Sequence, residues 1–131
     1  MKVAIVGSRS FYEHQEFMEQ YVKNYVTSLP SSLEIVSGES PGGGVDTWVR
    51  EATNDCGKKF HPFPPKRKTR RDYFARNTKI AEFADVVVAF QREYSSGTAD
   101  TIRKAIDLGK TVVIYRLQGN LLTRYVENPG E

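Results

Sequence analysis

Several residue types that mark particular protein classes are scarce in this 131-residue chain. It has one cysteine, Cys56, so no disulfide can form within the chain. Because Cys56 comes late in a helical pattern, without an evident histidine or aspartate partner, the sequence predicts a buried thiol rather than a nucleophile. The two histidines, His14 and His61, lie far apart in the pattern. No clustered ligand set is evident, so we expect neither a metal site nor a cofactor.

Long hydrophobic runs are also missing. No stretch approaches the ~20 apolar residues of a membrane helix, and the apolar run at positions 2–6 reaches Gly7 too soon for a signal peptide. The sequence therefore predicts a cytoplasmic protein with no membrane partner. With 39% hydrophobic and 27% charged residues, the chain suits one compact domain over residues 1–131.

The small net charge of +3 hides an uneven distribution. Positions 58–79 hold nine of the 19 lysines and arginines but only one acidic residue, Asp72. A basic charge confined to one window fits an anionic ligand better than a chain coated with nucleic acid. A solvated charged loop is the competing interpretation for Lys66 to Lys68.

Five apolar runs alternate with helical patterns along the chain, at positions 2–6, 33–37, 59–63, 85–90 and 111–115. The last two are continuous and rich in β-branched residues, which is typical of strands buried on both faces of a parallel sheet. We therefore predict a Rossmann-like, doubly wound three-layer α/β sandwich with about five parallel strands and helices on both faces. Residues 117–131 show no strong pattern, and we expect a C-terminal tail or a short helix there.

Most of the unusual residues follow the predicted strands, where the carboxyl edge of a parallel sheet binds ligands. The segment from Tyr94 to Asp100 joins a strand to a helix through small residues, and free amides at a helix start attract phosphate. Loops after four strands should meet at this edge. The candidate phosphate- and ligand-binding residues are Gly7, Ser8, Arg9, Ser37, Gly38, Gly42, Gly43, Gly44, Asp46, Asn77, Ser95, Ser96, Gly97 and Thr98.

Two carboxylates belong to these helix starts. Asp46 and Asp100 each fall in the predicted first turn of a helix, where a carboxylate stabilises the helix dipole. The alternative is that one of them binds a ribose hydroxyl or assists its chemistry. The residue pattern leaves both interpretations open.

The order of these motifs resembles the SLOG superfamily, and within it the YspA-like, YpsA-related branch. The resemblance rests on Gly7-Ser8-Arg9, the loop at 37–47, Ala75-Arg76-Asn77 and Ser96 to Asp100, and it covers roughly residues 1–115. The superfamily includes the Lonely Guy phosphoribohydrolases and the single-strand-binding DNA-processing protein A. By similarity to the Lonely Guy signature, the resemblance implies catalytic roles for Arg76 and Asp100.

We therefore expect a nucleotide or nucleotide-derived small molecule at the sheet edge. Hydrolysis of the N-glycosidic bond of a nucleoside 5′-monophosphate is the enzymatic form of this hypothesis. One alternative is a single-stranded nucleic-acid-binding module, because Tyr73 and Phe74 follow the basic segment Lys66 to Arg71. At most one of these two rings is expected to face outward. Another alternative is a non-catalytic carrier or sensor that acts as a homodimer or higher homo-oligomer. Trp48 is expected in the core rather than at such an interface.

Overall fold

The computed structural model describes residues 1–40, 42–93 and 95–130. In chain order its elements are β1 (Lys2–Gly7), a 3-10 helix (Tyr12–His14), α1 (Gln15–Ser28), β2 (Glu34–Ser37), α2 (Val45–Cys56), β3 (Phe60–Pro62), α3 (Arg70–Phe83), β4 (Val86–Arg92), α4 (Ser96–Asp107), β5 (Thr111–Gln118) and β6 (Leu121–Glu127). Tyr94, in the predicted turn between β4 and α4, lies outside the described residues, as do Pro41 and Glu131.

The strands form one six-stranded sheet in the order β3-β2-β1-β4-β5-β6. Strands β1 to β5 are parallel, and β6 is antiparallel to β5. From β1 the chain winds outward to β3, and it then returns to β4 and winds to the other edge. The strand order therefore reverses between β1 and β4, which is where doubly wound sheets bind ligands. The predicted α/β sandwich is confirmed.

Each face of the sheet is covered by two helices. Helices α1 and α2 bury Met18, Val22 and Val49 against one face. Helices α3 and α4 bury Ile80 and Ala105 against the other. Side chains of this size stabilise a fold by about 1–3 kcal/mol each when they leave water. The sheet between the helices is therefore a rigid support for the loops at its edges.

Local sequence signals end the helices where the patterns predict. Helix α1 stops at Ser28, two residues before Pro30, because proline cannot continue a helix. Gly57 ends α2 with φ 71°, the left-handed conformation that favours glycine. Trp48 is 5% exposed and stacks on Phe11, so its predicted place in the core is confirmed.

The expectation for residues 117–131 is wrong. β5 continues to Gln118 and β6 follows as an antiparallel edge strand, instead of a tail or short helix. A two-residue turn joins them, with Gly119 at φ 61°, and a glycine in the first turn position suits a tight hairpin. The Gly-Asn pair at 119–120 was the available signal. The polar residues of β6 hid the strand because most of them face solvent.

No helix in residues 1–40, 42–93 and 95–130 is long and apolar enough to cross a membrane.

Candidate functional site

A crevice of about 680 Å³ opens at the carboxyl ends of β1 and β4, at the switch point of the sheet. Three strand-to-helix loops and the inner side of α3 line it. Of the predicted site residues, the crevice brings together Gly7, Ser8, Arg9, Gly38, Asp46, Arg76, Asn77, Ser95, Ser96, Gly97 and Thr98. The sheet topology therefore gathers residues that are 90 positions apart in the sequence.

Five of the predicted residues are not part of the crevice wall: Ser37, Gly42, Gly43, Gly44 and Asp100. Ser37 is fully buried at the end of β2. Gly42 and Gly43 have φ 94° and 90°, and a Cβ on either would meet no atom within 4 Å. Their role in the fold is to turn the chain, since positive φ suits glycine.

The loop after β1 is fixed by contacts of its backbone. Ser8 Oγ accepts a hydrogen bond of 2.9 Å from the amide of Arg92, and the Ser8 carbonyl accepts one of 3.2 Å from the amide of Val45. A Cβ on Gly7 would strike the carbonyl oxygen of Phe90, so only glycine fits there. These contacts join β1, β4 and α2 at the floor of the crevice.

Arg76 ties α3 to the loop after β2. Its guanidinium donates to the carbonyl of Gly38, to Ser40 Oγ at 3.1 Å and to Asn77 Oδ1 at 3.0 Å. Arg76 is only 8% exposed. Burial lowers the pKa of its guanidinium, and the nearby carboxylate of Asp46 partly opposes that effect. The resemblance implied a catalytic role for Arg76, and in this structure most of its donors already bind protein acceptors.

Asp46 is the carboxylate that the crevice wall presents. It is the second residue of α2, and its Oδ2 accepts a hydrogen bond of 2.9 Å from the amide of Ser40. The residue is 6% exposed, and the same wall includes Gly38 and Arg76. A carboxylate in this place combines a helix-capping position with access to the crevice.

Asp100 occupies a different environment. It is the fifth residue of α4, and its carboxylate accepts from Asn77 Nδ2 at 3.2 Å, Arg103 Nη2 at 2.9 Å and Lys104 Nζ at 2.8 Å. Its side chain is 4% exposed. Lys104 also donates to the carbonyl of Phe74 at 2.8 Å. Asp100 thus links α4 to α3 behind the crevice.

The start of α4 faces the crevice through the short segment Ser95 to Thr98. α4 begins at Ser96, and the Ser95 side chain does not cap it; instead Ser95 Oγ lies 3.3 Å from Thr98 Oγ1. A Cβ on Gly97 would meet no atom within 4 Å. The first turn of this helix therefore lines the crevice with small residues, and the amides of such a turn are the kind of group that binds anions.

Cations and aromatic rings complete the wall. Four arginines line the crevice against one carboxylate: Arg9, Arg70, Arg76 and Arg92. Arg70 and Arg92 were not predicted as site residues from the sequence, although Arg70 lies in the basic window and Arg92 ends β4. Tyr12, which is 71% exposed, also lines the crevice, with the guanidinium of Arg92 4.3 Å from its ring centroid. Tyr12 has no such sequence signal.

The expectation that one of Tyr73 and Phe74 packs in the core is wrong. Both rings are half-buried, both line the crevice, and neither belongs to the hydrophobic clusters on the two faces of the sheet. The guanidinium of Arg9 lies 4.8 Å from the Tyr73 ring centroid. Both rings can reach the crevice because α3 presents its N-terminal turns to the opening rather than to the sheet.

Two further basic residues of positions 58–79, Lys66 and Lys79, lie beside the crevice. A smaller cavity of about 160 Å³ is lined by Lys66 and Lys79, together with Asp72. Arg76 lines both cavities and separates them. In the part of the chain that the structure describes, no three His, Cys, Asp or Glu side chains are grouped as a metal site.

Comparisons with known proteins identify the fold. No model of a known family and no curated protein matches the chain. Among solved structures, DNA processing protein A from Streptococcus pneumoniae is 23% identical, with a TM-score of 0.74, 90% of this chain covered and 50% of that chain. The structure of TM1055, a structural genomics target, gives 20% identity and a TM-score of 0.62, covering 85% of this chain and 71% of the other.

A third similar structure is DNA processing protein A from Helicobacter pylori, described by its single-stranded DNA binding mode. It is 18% identical, with a TM-score of 0.65, and the match covers 93% of this chain and 68% of that one. The chain shares the doubly wound α/β fold of these proteins. It spans half the length of the pneumococcal protein. At these identities the likeness shows the shared fold that the motif order implied.

Proposed function

We propose that this chain binds a nucleotide or a nucleotide-derived ligand in the crevice at the carboxyl edge of its sheet. The observation that carries the proposal is the composition of the crevice wall: the first turn of α4, four arginines, one carboxylate and three aromatic rings line the same 680 Å³. A helix start and arginines suit phosphate, a carboxylate suits ribose hydroxyls, and a ring suits a base.

Arg9 is the cation best placed to bind the phosphate. Its guanidinium is exposed, and among the described residues no carboxylate or carbonyl hydrogen-bonds to it. Its backbone is held against Gly44, where a Cβ would lie 2.6 Å from the Arg9 carbonyl carbon. A fixed backbone with a free guanidinium can turn toward a phosphate at the start of α4.

A panel of nucleoside 5′-monophosphates, with ribose 5-phosphate alone, tests binding through the midpoint of thermal unfolding. A ligand at 100 times its Kd raises the free energy of unfolding by about 2.7 kcal/mol. We expect Arg9→Gln to weaken binding about tenfold, because a charge-assisted bond is lost. Arg124→Gln on the exposed edge strand β6 is the matched control. Equal binding by the two variants would contradict the assignment of Arg9.

Hydrolysis of the N-glycosidic bond is a separate hypothesis, and the placement of the carboxylates bears on it. Asp100 is held by three donors behind the crevice, whereas Asp46 is part of its wall. The geometry therefore supports binding better than cleavage. Release of free base from the same monophosphates tests the hypothesis, with Asp46→Asn and Asp100→Ala as separate variants. If the wild-type protein releases no more free base than the Asp100→Ala variant, Asp100 has no catalytic role.

The second candidate function is binding of single-stranded nucleic acid. Its support is the basic segment 66–71 beside the rings of Tyr73 and Phe74, together with the fold shared with a protein described as binding single-stranded DNA. Bases stack on such rings while the backbone follows the cations. Titration with oligonucleotides at 50 and 200 mM salt tests it, since affinity must fall steeply with salt.

A homodimer or higher homo-oligomer is a further proposal, without an assigned interface. Trp48 is buried and cannot supply one, but Phe17 on α1 is 56% exposed and Leu121 on β6 is 66% exposed. Light scattering measures the oligomeric state directly. A mass of 14.9 kDa at all concentrations would contradict this proposal.

A further inference from the structure

Two neighbouring rings on α3 are excluded from the cores of this fold. Tyr73 and Phe74 are half-buried, and both line the crevice. Neither packs in the cluster around α1 and α2, and neither packs in the cluster around α3 and α4. Large aromatic side chains usually enter a core or an interface, because they carry much apolar surface. Two aromatic rings that pack in neither a core nor an interface need another partner.

Each ring is paired with its own arginine. The guanidinium of Arg9 lies 4.8 Å from the centroid of Tyr73, and that of Arg70 lies 5.1 Å from the centroid of Phe74. Both arginines are exposed, and both line the crevice. A planar guanidinium over a ring occupies the position that a stacked base would take, and it can also stack on the outer face of that base.

The two rings face different directions. Consecutive residues on a helix are rotated by about 100°, so one flat base cannot stack on both rings. Arg76 lies near Tyr73, 5.4 Å from its centroid, while Lys104 lies 5.5 Å from the centroid of Phe74. Tyr73 therefore belongs to the side of the crevice near the loop after β1, and Phe74 to the side near α4.

We propose that the ligand of this crevice is a dinucleotide, with one base on Tyr73 and the other on Phe74. This inference rests on the proposed function and names its ligand class. The crevice, at about 680 Å³, lies in the upper part of the range of about 300–1,000 Å³ for ligand pockets. Four arginines against one carboxylate leave enough positive charge for more than one phosphate.

The order of groups along the wall agrees with that class. The start of α4, at Ser96 to Thr98, can hold the phosphate that joins two nucleosides. Asp46, on the α2 side, can accept from a ribose hydroxyl. A mononucleotide would contact one ring and leave the second ring and its arginine without a partner.

Three probes separate this inference from the proposed function. They are the four nucleoside 5′-monophosphates, the four 5′-phosphorylated dinucleotides that repeat one base, and the corresponding homo-decanucleotides, each titrated by calorimetry at 150 mM salt. We expect the best dinucleotide to bind about tenfold more tightly than its mononucleotide, because one more base stacks. We expect the decanucleotide to bind no more tightly than the dinucleotide, since the crevice is filled.

Substitutions of the rings sharpen the result. Tyr73→Leu and Phe74→Leu should each remove the tenfold preference for the dinucleotide, while Tyr73→Phe should keep it because stacking needs no hydroxyl. Tyr125→Leu is the matched control, because Tyr125 on β6 also lies under a guanidinium, that of Arg116 at 5.2 Å, but outside the crevice. Each variant is first checked for an unchanged midpoint of urea unfolding.

The outcomes that overturn the inference are distinct from those that overturn the proposed function. Equal affinity for mononucleotide and dinucleotide, or a preference that persists in Tyr73→Leu and Phe74→Leu, refutes the two-base ligand and leaves nucleotide binding intact. Tighter binding of the decanucleotide refutes it in favour of single-stranded nucleic acid. No binding of any probe refutes both proposals.

Discussion

The loops after β2 and β4 both lead into helices that carry an aspartate, but only one of the two carboxylates is part of the crevice wall. The β2–α2 loop carries Ser40 and four glycines, the β4–α4 loop carries Ser95 and is followed by Ser96 and Gly97 in α4, and each loop leads into a helix that has an aspartate near its start. Asp46 is the second residue of α2 and is part of the crevice wall. Asp100 is the fifth residue of α4 and binds cations behind it. Three helical positions rotate a side chain by about 300°, so the two carboxylates lie on nearly the same face of their helices. Asp100 lies about 4.5 Å further along its helix, which places it past the crevice wall.

The loops also differ in how they are held. The β2–α2 loop is fixed by Arg76, a side chain from another helix. The β4–α4 loop is held mainly by short-range bonds such as that between Ser95 and Thr98, together with a bond from the Glu93 amide to the carbonyl of Leu117. A loop that depends on a buried guanidinium is sensitive to one distant substitution. A loop held locally tolerates change, and its amides stay available.

The largest effect is expected from Arg76→Leu. It leaves Ser40 and Gly38 without their buried donor and Asp46 without its nearest cation. We expect the free energy of unfolding to fall by about 3–5 kcal/mol in a urea titration, as for a broken buried charge network. Arg76→Lys should recover only part of this, because an ammonium cannot reach three acceptors. A loss below about 1 kcal/mol would show that the β2–α2 loop does not depend on this contact.

Substitutions of the glycines at the starts of α2 and α4 are expected to have the next largest difference in stability. Gly44 has φ 82°, and a Cβ there would collide with the backbone of Arg9. We expect Gly44→Ala to destabilise the fold by about 2–3 kcal/mol. Gly97→Ala should be neutral or stabilise by up to about 1 kcal/mol, since the site is helical and open. Thermal unfolding of the two variants measures the difference, and equal values would contradict it.

Substitutions of the two aspartates are expected to affect the free energy of unfolding and the ligand affinity differently. Asp100→Ala should lower the free energy of unfolding by about 2 kcal/mol, because Asn77 and Lys104 lose a buried acceptor. It should change ligand affinity little. Asp46→Asn should cost about 1 kcal/mol of stability and lower nucleotide affinity several-fold. Urea titration and calorimetry on both variants check this; the reverse pattern would assign the ligand carboxylate to Asp100.

The smallest effect concerns a carboxylate that belongs to neither loop. Glu34 lies 2.6 Å from His61 at the opposite side of the molecule, and the hydrogen bond with that ring lowers the pKa of Glu34 below its usual 4.5. A carboxyl with a lowered folded pKa stabilises the fold above pH 4.5, and this contribution is lost as the pH falls through the folded value.

Unfolding of the wild type and of His61→Leu between pH 6 and pH 3 measures that contribution. The wild type should lose more stability over this range than the variant. Parallel pH curves would show that the contact with His61 contributes nothing. Nucleotide affinity should be the same in both proteins, because His61 is not part of the crevice wall.

The sequence predicts the sheet and its ligand-binding edge because both follow from local patterns. Continuous β-branched runs such as Val86 to Val88 identify buried parallel strands, and small residues after them identify the loops. The position of a side chain relative to the crevice was harder to predict, since it depends on where its helix begins. Because α4 begins at Ser96, Asp100 lies in its second turn, past the crevice, and not in the predicted first turn, and boundaries are the least determined part of a pattern.

Residues that come from outside the motifs were also missed. Arg92 ends a strand and Tyr12 opens the short 3-10 helix after β1, so periodicity alone does not distinguish them. Tyr73 and Phe74 were recognised as aromatic neighbours of a basic segment, but the sequence alone assigned one of them to the core. That assignment fails because the apolar stripe of α3 comes later, at Ile80 and Ala81.

The switch point between β1 and β4 has a mechanical consequence. On one side of this junction lie β1 to β3, and on the other lie β4 to β6, and the crevice wall takes residues from both. A molecule seated there would bridge the two halves across the central pair of strands. With a ligand bound, amide hydrogens of β1 and β4 should exchange only through complete unfolding. Slowed exchange along these two strands would therefore report that a ligand occupies the crevice.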